Sequence, residues 1–509
     1  MHRPAIFFVS SLLASSTSLS TTTALVLRQS NNNVARPLSS KIMAILDKPY
    51  GAWESPITSK SITANTVRYS DVTCYNGHIY WLEMRPKEGG RNVLCRLPIS
   101  SSSSGNLTAA AEEVTPPESN VRTRVHEYGG GAFVLGKTNM EEGKAKDTII
   151  YYSEFASQRL CRVLSNGNSS SSSIPITPET FSHRYADGVL SSDGKIMYCI
   201  REDHTNPEPK YVVNEVVSIN LEDGSVNIIA TGNDFYAAPR LSPDGTKLAY
   251  ITWNHPNMPW DATELRMVDV ISNSTTITST LSDKSENHTV IAGKDGDTSV
   301  IQPMWHPHTG ELFYISDQSG FYNIYKAGCE QESILPLRYD FGGSSPGWTL
   351  GRQDFAFLND GRLVAQYTKD GSTVLVVADV VGQKGVYEFS GAKDGLPRMF
   401  GGIVPSDNND SSELFFLGGS PSVPSSIYKW NLDTRSPATV LACSSNLTFP
   451  EDVISEPEQI EFPTTLGTAY GYYYAPKNRG FTCTTEKAPP LLVKAHGETL
   501  FNSHLRGTK

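Results

Sequence analysis

The sequence predicts an all-β protein: a β-propeller of about seven four-stranded blades, followed by the first strands of an α/β domain. Three observations predict it. The composition is that of a turn-rich β protein, with 38% hydrophobic, 10% aromatic and only 19% charged residues and 40 glycines in 509 residues. One turn-strand unit recurs from about Tyr69 to Cys443. The pattern then changes after Phe449.

The recurring unit opens on a turn signal and continues as an apolar, β-branched or aromatic run. Clear copies are Asn76-Gly77 before His78–Leu82, Asp193-Gly194 before Lys195–Ile200 and Asp244-Gly245 before Lys247–Ile251. Thr309-Gly310 before Glu311–Ile315 and Asp360-Gly361 before Arg362–Ala365 are two more. Asn-Gly and Asp-Gly favour the positive φ angles of tight hairpin turns, and the runs that follow suit strands. Second runs such as Glu264–Val270 and Thr373–Asp379 extend the units. A small sheet that cannot bury both faces alone must stack on its copies, and radial stacking gives a propeller. The units fall near 70–100, 125–165, 183–230, 236–280, 300–337, 350–390 and 397–443. Most are close to the roughly 40–45 residues of a blade. A sandwich of the same strands is the structural alternative.

The domain organisation follows: 1–46 as a targeting or disordered segment, 47–450 as the propeller, and 451–509 as a linker and the start of a further domain. The first acidic residue is Asp47, after an apolar run (Ala5–Leu13) and a Ser/Thr-rich stretch. That fits a signal or organelle transit peptide, so a targeted organelle (plastid or mitochondrion) or the secretory pathway is expected rather than the cytosol. Glu451–Glu461 is acidic and Pro-punctuated, as a linker would be; Thr468–Tyr474 reads as a strand and Leu491–Val493 as a buried strand.

A net charge of −10 leaves no basic surface for a phosphate backbone, so no nucleic-acid partner is expected. No run approaches about 18 apolar residues, so no membrane span is expected in the mature chain. The seven cysteines are dispersed with no CxxC pair, which speaks against a zinc or redox motif. His306 and His308 flank Pro307 but have no third ligand at sensible spacing. No metal and no cofactor are expected.

Five ordered stretches carry a resemblance. They are Pro49–Thr58 (PYGAWESPIT), Arg122–Gly131 (RTRVHEYGGG), Arg201–His204 (REDH) with Asn214-Glu215, His255–Asp261 (HPNMPWD) and Ser316–Tyr325 (SDQSGFYNIY). Together they resemble the propeller of prolyl-oligopeptidase-family serine peptidases, in the acylaminoacyl-peptidase or dipeptidyl-aminopeptidase-like branch, over about Asp47 to Gly497. The resemblance implies a propeller capping an α/β-hydrolase domain, short peptide substrates, and a Ser-Asp-His triad in that chain order. The serine would attack the peptide carbonyl, the histidine move the proton, and the aspartate orient the histidine. Oligomers also occur in the family.

Lys494-Ala495-His496-Gly497 matches the hydrolase's early strand and loop, which makes His496 and Gly497 a remnant of the loop near the oxyanion site. In the family another Gly follows; here Glu498 follows, and the last twelve residues leave the pattern. The expectation is a truncated hydrolase domain with no catalytic residue in these 509 positions. One G-x-S-x-G string, Gly343–Gly347, is rejected as a nucleophile elbow, because Pro346 has no N–H for the oxyanion.

The candidate substrate-binding residues are Glu127, Tyr128, Glu202, Asp203 and Glu215. Glu127, just before three glycines, could receive a peptide amino group while the glycines allow close backbone approach. The bland reading is a structural turn that locks adjacent blades. Glu202, Asp203 and Glu215 could form an acidic site for a substrate N-terminus, or be solvated or paired carboxylates. His255 and Trp260 read as a packed loop. The functional expectation is a serine-type peptidase represented by its substrate-gating propeller; the alternative is a non-catalytic propeller that binds peptides or proteins.

Overall fold

A computed structural model describes residues 6–10, 45–63, 66–99, 111–137, 148–165, 172–180, 182–270, 288–329, 331–342, 347–382, 385–408, 410–447, 449–465, 467–485 and 488–495. The chain forms two compact units, one of residues 65–446 and one of residues 1–64 with 447–509.

The larger unit is a seven-bladed propeller. Each blade is a separate sheet whose strands pair in chain order, which excludes the sandwich. The inner strands are Arg68–Tyr75, Phe133–Lys137, His183–Leu190, Phe235–Leu241, Val300–Trp305, Phe355–Phe357 and Met399–Pro405. The third blade shows the pattern: His183–Leu190, Ile196–Asp203, Val213–Asn220 and Val226–Ala230 pair antiparallel in sequence order.

The fifth blade differs from the four-strand expectation. It has three strands, Val300–Trp305, Leu312–Ser316 and Asn323–Lys326. Irregular chain takes the fourth place: Ile334 N–H donates to Ile324 O at 2.8 Å, and Asn323 Nδ2 donates to Leu335 O and Leu337 O. Pro336 in this stretch has no N–H to give a ladder.

The turns work in two ways. Asn76-Gly77 has positive φ at both residues (51° and 73°), the requirement of a two-residue type I′ hairpin. The Asp-Gly turns need it only at glycine. In the third blade Gly194 N–H donates to Ser191 O, and the Asp193 carboxylate accepts from Lys195 N–H. The fourth blade repeats this with Gly245, Ser242, Asp244 and Thr246. There the aspartate holds the turn by its side chain.

The core lies between blades. Tyr80, Leu82 and Leu94 of the first blade pack on Ile150 and Tyr152 of the second. Tyr151 and Leu160 of the second meet Met197, Cys199 and Val217 of the third. A ring must also close. Here it closes by packing and edge bonds, and among the described residues no strand is exchanged between the first and last sheets. Tyr69, Ile79 and Trp81 pack on Phe415, Ile427 and Leu441, Val67 N–H donates to Ser444 O at 2.9 Å, and Tyr69 OH donates to Cys443 O at 2.8 Å.

Five inner strands share a device. Each has a β-bulge whose first extra residue takes positive φ: Asp71, Asp187, Ala238, Gln302 and Gly402. Several of these residues reach the next blade. Asp187 accepts Ala238 N–H at 2.9 Å and Arg240 at 3.0 Å. Gln302 donates to Phe355 O at 2.7 Å and accepts Asp354 N–H.

In the smaller unit, Glu458–Thr464, Gly467–Tyr473, Ile6–Ser10 and Leu492–Ala495 form one sheet in that order. Strands are present at Gly467–Tyr473 and Leu492–Ala495, but Leu491, Leu492 and Val493 are exposed where a buried strand was expected. Leu46–Asp47 pairs with Phe481–Thr482, and Trp53 stacks on Phe481. Residues 46–54 thus bond to the C-terminal segment, as when Lys48 N–H donates to Thr482 O and Asn478 Nδ2 donates to Glu54 O. Among the described residues, no helix is long and apolar enough to cross a membrane.

Candidate functional site

Inner strands begin at one end of a propeller, and the second strands finish there. Register places His183 opposite Asp203, Phe235 opposite Trp253 and Val300 opposite Ser316 at this end. Val67 and Ser444 meet here too, so the chain enters and leaves the propeller at this end.

The segment 122–131 crosses it. Arg122 N–H donates to Ser153 O and Arg124 N–H to Gln158 Oε1, while both guanidinium groups lie over the Phe155 ring at 4.8 and 4.5 Å. The backbone then turns hard: His126, Glu127, Gly129, Gly130 and Gly131 all have positive φ. Gly130 forms a parallel bridge with Leu350, the lead-in to the sixth blade, and Leu350 N–H donates to Gly129 O at 2.9 Å. A Cβ on Gly130 would stand 2.2 Å from Leu350 O. The next peptide meets the third blade, where Asp187 N–H donates to Gly131 O at 2.8 Å. The glycines thus let the lead-ins of the second and sixth blades touch across the end of the channel. The expected lock between adjacent blades is a lock between non-adjacent ones as well.

The carboxylates separate by strand alternation. Glu202 is buried. Its Oε1 accepts His126 N–H at 2.7 Å, its Oε2 lies 2.9 Å from His204 Nε2, and Arg184 lies 3.5 Å away. Arg184 also bonds Glu127 at 2.5 Å and Arg124 O at 3.0 Å. Glu127, Glu202 and Arg184 therefore form one cluster. Asp203 and Glu215 belong to the other face. Glu215 is buried and bonded by Arg201. Asp203 accepts Thr205 N–H and Oγ and faces His183 Nε2 at 3.4 Å. Burial works to raise the Asp203 carboxyl, but the Thr205 bonds and the nearby His183 and Arg201 hold it below the usual carboxylate range.

Aromatic rings flank the segment. Tyr128 is 59% exposed and stacks on Trp348, with centroids 4.6 Å apart at 14°; Trp260 meets Trp348 edge-on at 5.1 Å. His126 is buried edge-on against Phe235 and Trp253 at 5.5 and 5.6 Å. Burial pushes its pKa down, against the pull of Glu202, the Trp348 backbone and Asp187.

Sequence reasoning missed Arg184, Trp348 and Leu350. Only Arg184 left a signal, since it lies opposite Glu202 in the ladder. His306 is fully engaged in a turn: Nε2 lies 3.0 Å from Gly361 O, and Nδ1 accepts His308 and Thr309 N–H. His496, Gly497 and Gly343–Pro346 lie outside the described residues. Among the described residues no group of three or more His, Cys, Asp or Glu side chains could hold a metal ion.

The fold is similar to that of solved peptidases. A puromycin-hydrolyzing peptidase from Mycobacterium tuberculosis shares 27% identity at a TM-score of 0.72, over 87% of this chain and 63% of its own. A puromycin hydrolase shares 23% identity at 0.73, with the same coverages, and a mutant of such an enzyme was solved in complex with PGG. Prolyl oligopeptidase B from Galerina marginata, bound to a 25mer macrocyclization substrate, is 12% identical at 0.50, over 79% of this chain and 54% of its own. The chain thus spans less than two thirds of the length of these relatives. No family model and no curated protein matches it.

Proposed function

We propose that this chain belongs to the prolyl oligopeptidase family and that its propeller is the substrate-gating part of a serine-type peptidase acting on short peptides. Aminopeptidase or acylaminoacyl-peptidase-like release of short N-terminal fragments is the specific activity proposed. The observation that carries this reading is the peptidase fold likeness at 27% identity, joined to one end of the propeller that gathers the chain's entry and exit, an acid cluster and the exposed Tyr128 ring. At that end the Gly130–Leu350 bridge joins the lead-ins of two non-adjacent blades, which supports a propeller that restricts passage. Glu127, with its side chain 70% exposed, and Tyr128 are the residues proposed to meet peptide.

The catalytic Ser, Asp and His are proposed to lie outside these 509 residues. Hydrolysis would proceed by serine attack on the peptide carbonyl, with the propeller deciding what reaches it. A fluorophosphonate probe tests this: incubated with the 509-residue protein, it should label nothing. Stoichiometric labelling of any serine would overturn the assignment of the triad.

A further inference from the structure

The apolar run near the N-terminus has a place in the fold that a targeting role does not explain. Ile6–Ser10 lies inside the sheet of the smaller unit, parallel to Gly467–Tyr473 on one side and antiparallel to Leu492–Ala495 on the other. Phe7, Phe8 and Val9 have ladder partners on both sides; Phe8 stands opposite Tyr472 and Lys494. A strand paired on both edges suits a continuous run of aromatic and β-branched residues, and Ile6-Phe7-Phe8-Val9 supplies one.

The walls of this position are built without it. Glu458–Thr464 and Gly467–Tyr473 form a hairpin by themselves. The chain then leaves the sheet. Phe481–Thr482 pairs with Leu46–Asp47. This excursion is pinned where Leu46 N–H donates to Gly480 O, Lys48 N–H to Thr482 O and Thr484 N–H to Asp47 Oδ1, each at 2.9 Å. On its return, Leu492–Ala495 does not pair with Gly467–Tyr473; both pair with the strand between them. Successive strands usually lie side by side, so this sheet skips a position. At about 4.8 Å per neighbouring strand, the skipped position holds one extended chain. Left empty, it would set two rows of backbone N–H and C=O groups facing each other without ladder partners.

We propose that the position between Gly467–Tyr473 and Leu492–Ala495 is an acceptor site for one extended apolar strand, filled by residues 6–10 of this chain. Carried on the same chain, that strand is present at high effective concentration, so a free peptide does not replace it. Proteolytic loss of the N-terminal segment would open the site to an extended apolar segment supplied in trans, bound through both ladders.

Hydrogen exchange on the full 509-residue protein and two variants tests this. Phe8→Pro removes a backbone N–H and is ill suited to a central strand, whereas Phe8→Val keeps a strand former. Phe8→Pro should speed exchange roughly tenfold in 467–473 and 492–495, while the blade strands 68–75 and 183–190 keep the parent's rates. Phe8→Val should match the parent throughout. A peptide of residues 4–11 with added lysines for solubility should restore protection in Phe8→Pro and leave the parent unchanged. Parental exchange in 467–473 and 492–495 of Phe8→Pro would overturn the proposal. Faster exchange that the peptide fails to reverse at millimolar concentration would overturn it too, because an acceptor site must take the strand in trans. An equal rise in the blade strands would mark loss of fold and overturn the claim of a separate site.

Discussion

The backbone N–H of Ala238 donates to Oδ2 of Asp187 at 2.9 Å, across the boundary between the third and fourth blades. The same carboxylate takes Arg240 at 3.0 Å on its other oxygen, and the Asp187 N–H reaches back to Gly131. One bulge residue thereby ties the lead-in of the second blade to the inner strands of the third and fourth. Asp187→Ala would leave the Ala238 N–H and the Arg240 guanidinium without this acceptor. A loss of about 2–3 kcal/mol is expected. Thermal melting checks it, and Asp187→Asn should recover part of the loss by keeping an acceptor oxygen.

Gly130 and Gly194 both have positive φ, yet they should respond differently to alanine. At Gly194 nothing stands within 4 Å of the new Cβ, so the cost is the left-handed backbone alone, about 1 kcal/mol. At Gly130 the Cβ would meet Leu350 O at 2.2 Å, and the bridge must open. Gly130→Ala should cost several times more in melting temperature and should raise protease sensitivity in segments 122–131 and 347–352. Equal effects would contradict the crossing.

His126 predicts a pH dependence. Its folded pKa is lowered, chiefly by burial, against Glu202, the Trp348 backbone and Asp187. The unfolded chain therefore takes up the proton first, near the ordinary value of about 6.5. Stability from the neutral, buried ring is present above that value and falls as pH drops below it. Melting temperature should decline from pH 7.5 to pH 5, and His126→Phe, which keeps a ring against Phe235 and Trp253, should flatten that part of the curve.

Ring closure gives a fourth prediction. Tyr69→Phe removes only the bond to Cys443 O and should cost about 1 kcal/mol. Trp81→Ala empties the interface between the first and last blades and should cost about 3–5 kcal/mol. Hydrogen exchange in 68–98 and 413–443 should rise together in the second variant.

The turns and the strand alternation were readable from residue types, because Asn-Gly, Asp-Gly and period-two apolar runs act locally. The Arg122–Gly131 motif was readable for the same reason, its glycines marking a close backbone approach. What the approach meets was not, since Leu350 is far away in sequence. The bulges at Asp71, Asp187, Ala238 and Gln302 left no trace, because side chains as different as Asp, Ala and Gln take positive φ there and no residue type marks the position. The separation of Glu202 from Asp203 was present in the alternation of adjacent strand residues, and grouping the acids by charge alone passed over it. The missing fourth strand near Pro336 followed from a proline that an apolar pattern does not weigh.

The central claim is that peptide is met at the end of the propeller carrying segment 122–131. Hydrogen-exchange mapping of the 509-residue protein with and without saturating Phe-Gly-Gly tests it most directly. Protection is predicted in 124–131, 202–204 and 347–351. Protection confined to the opposite turns, at 191–195, 242–246 and 358–362, would contradict it.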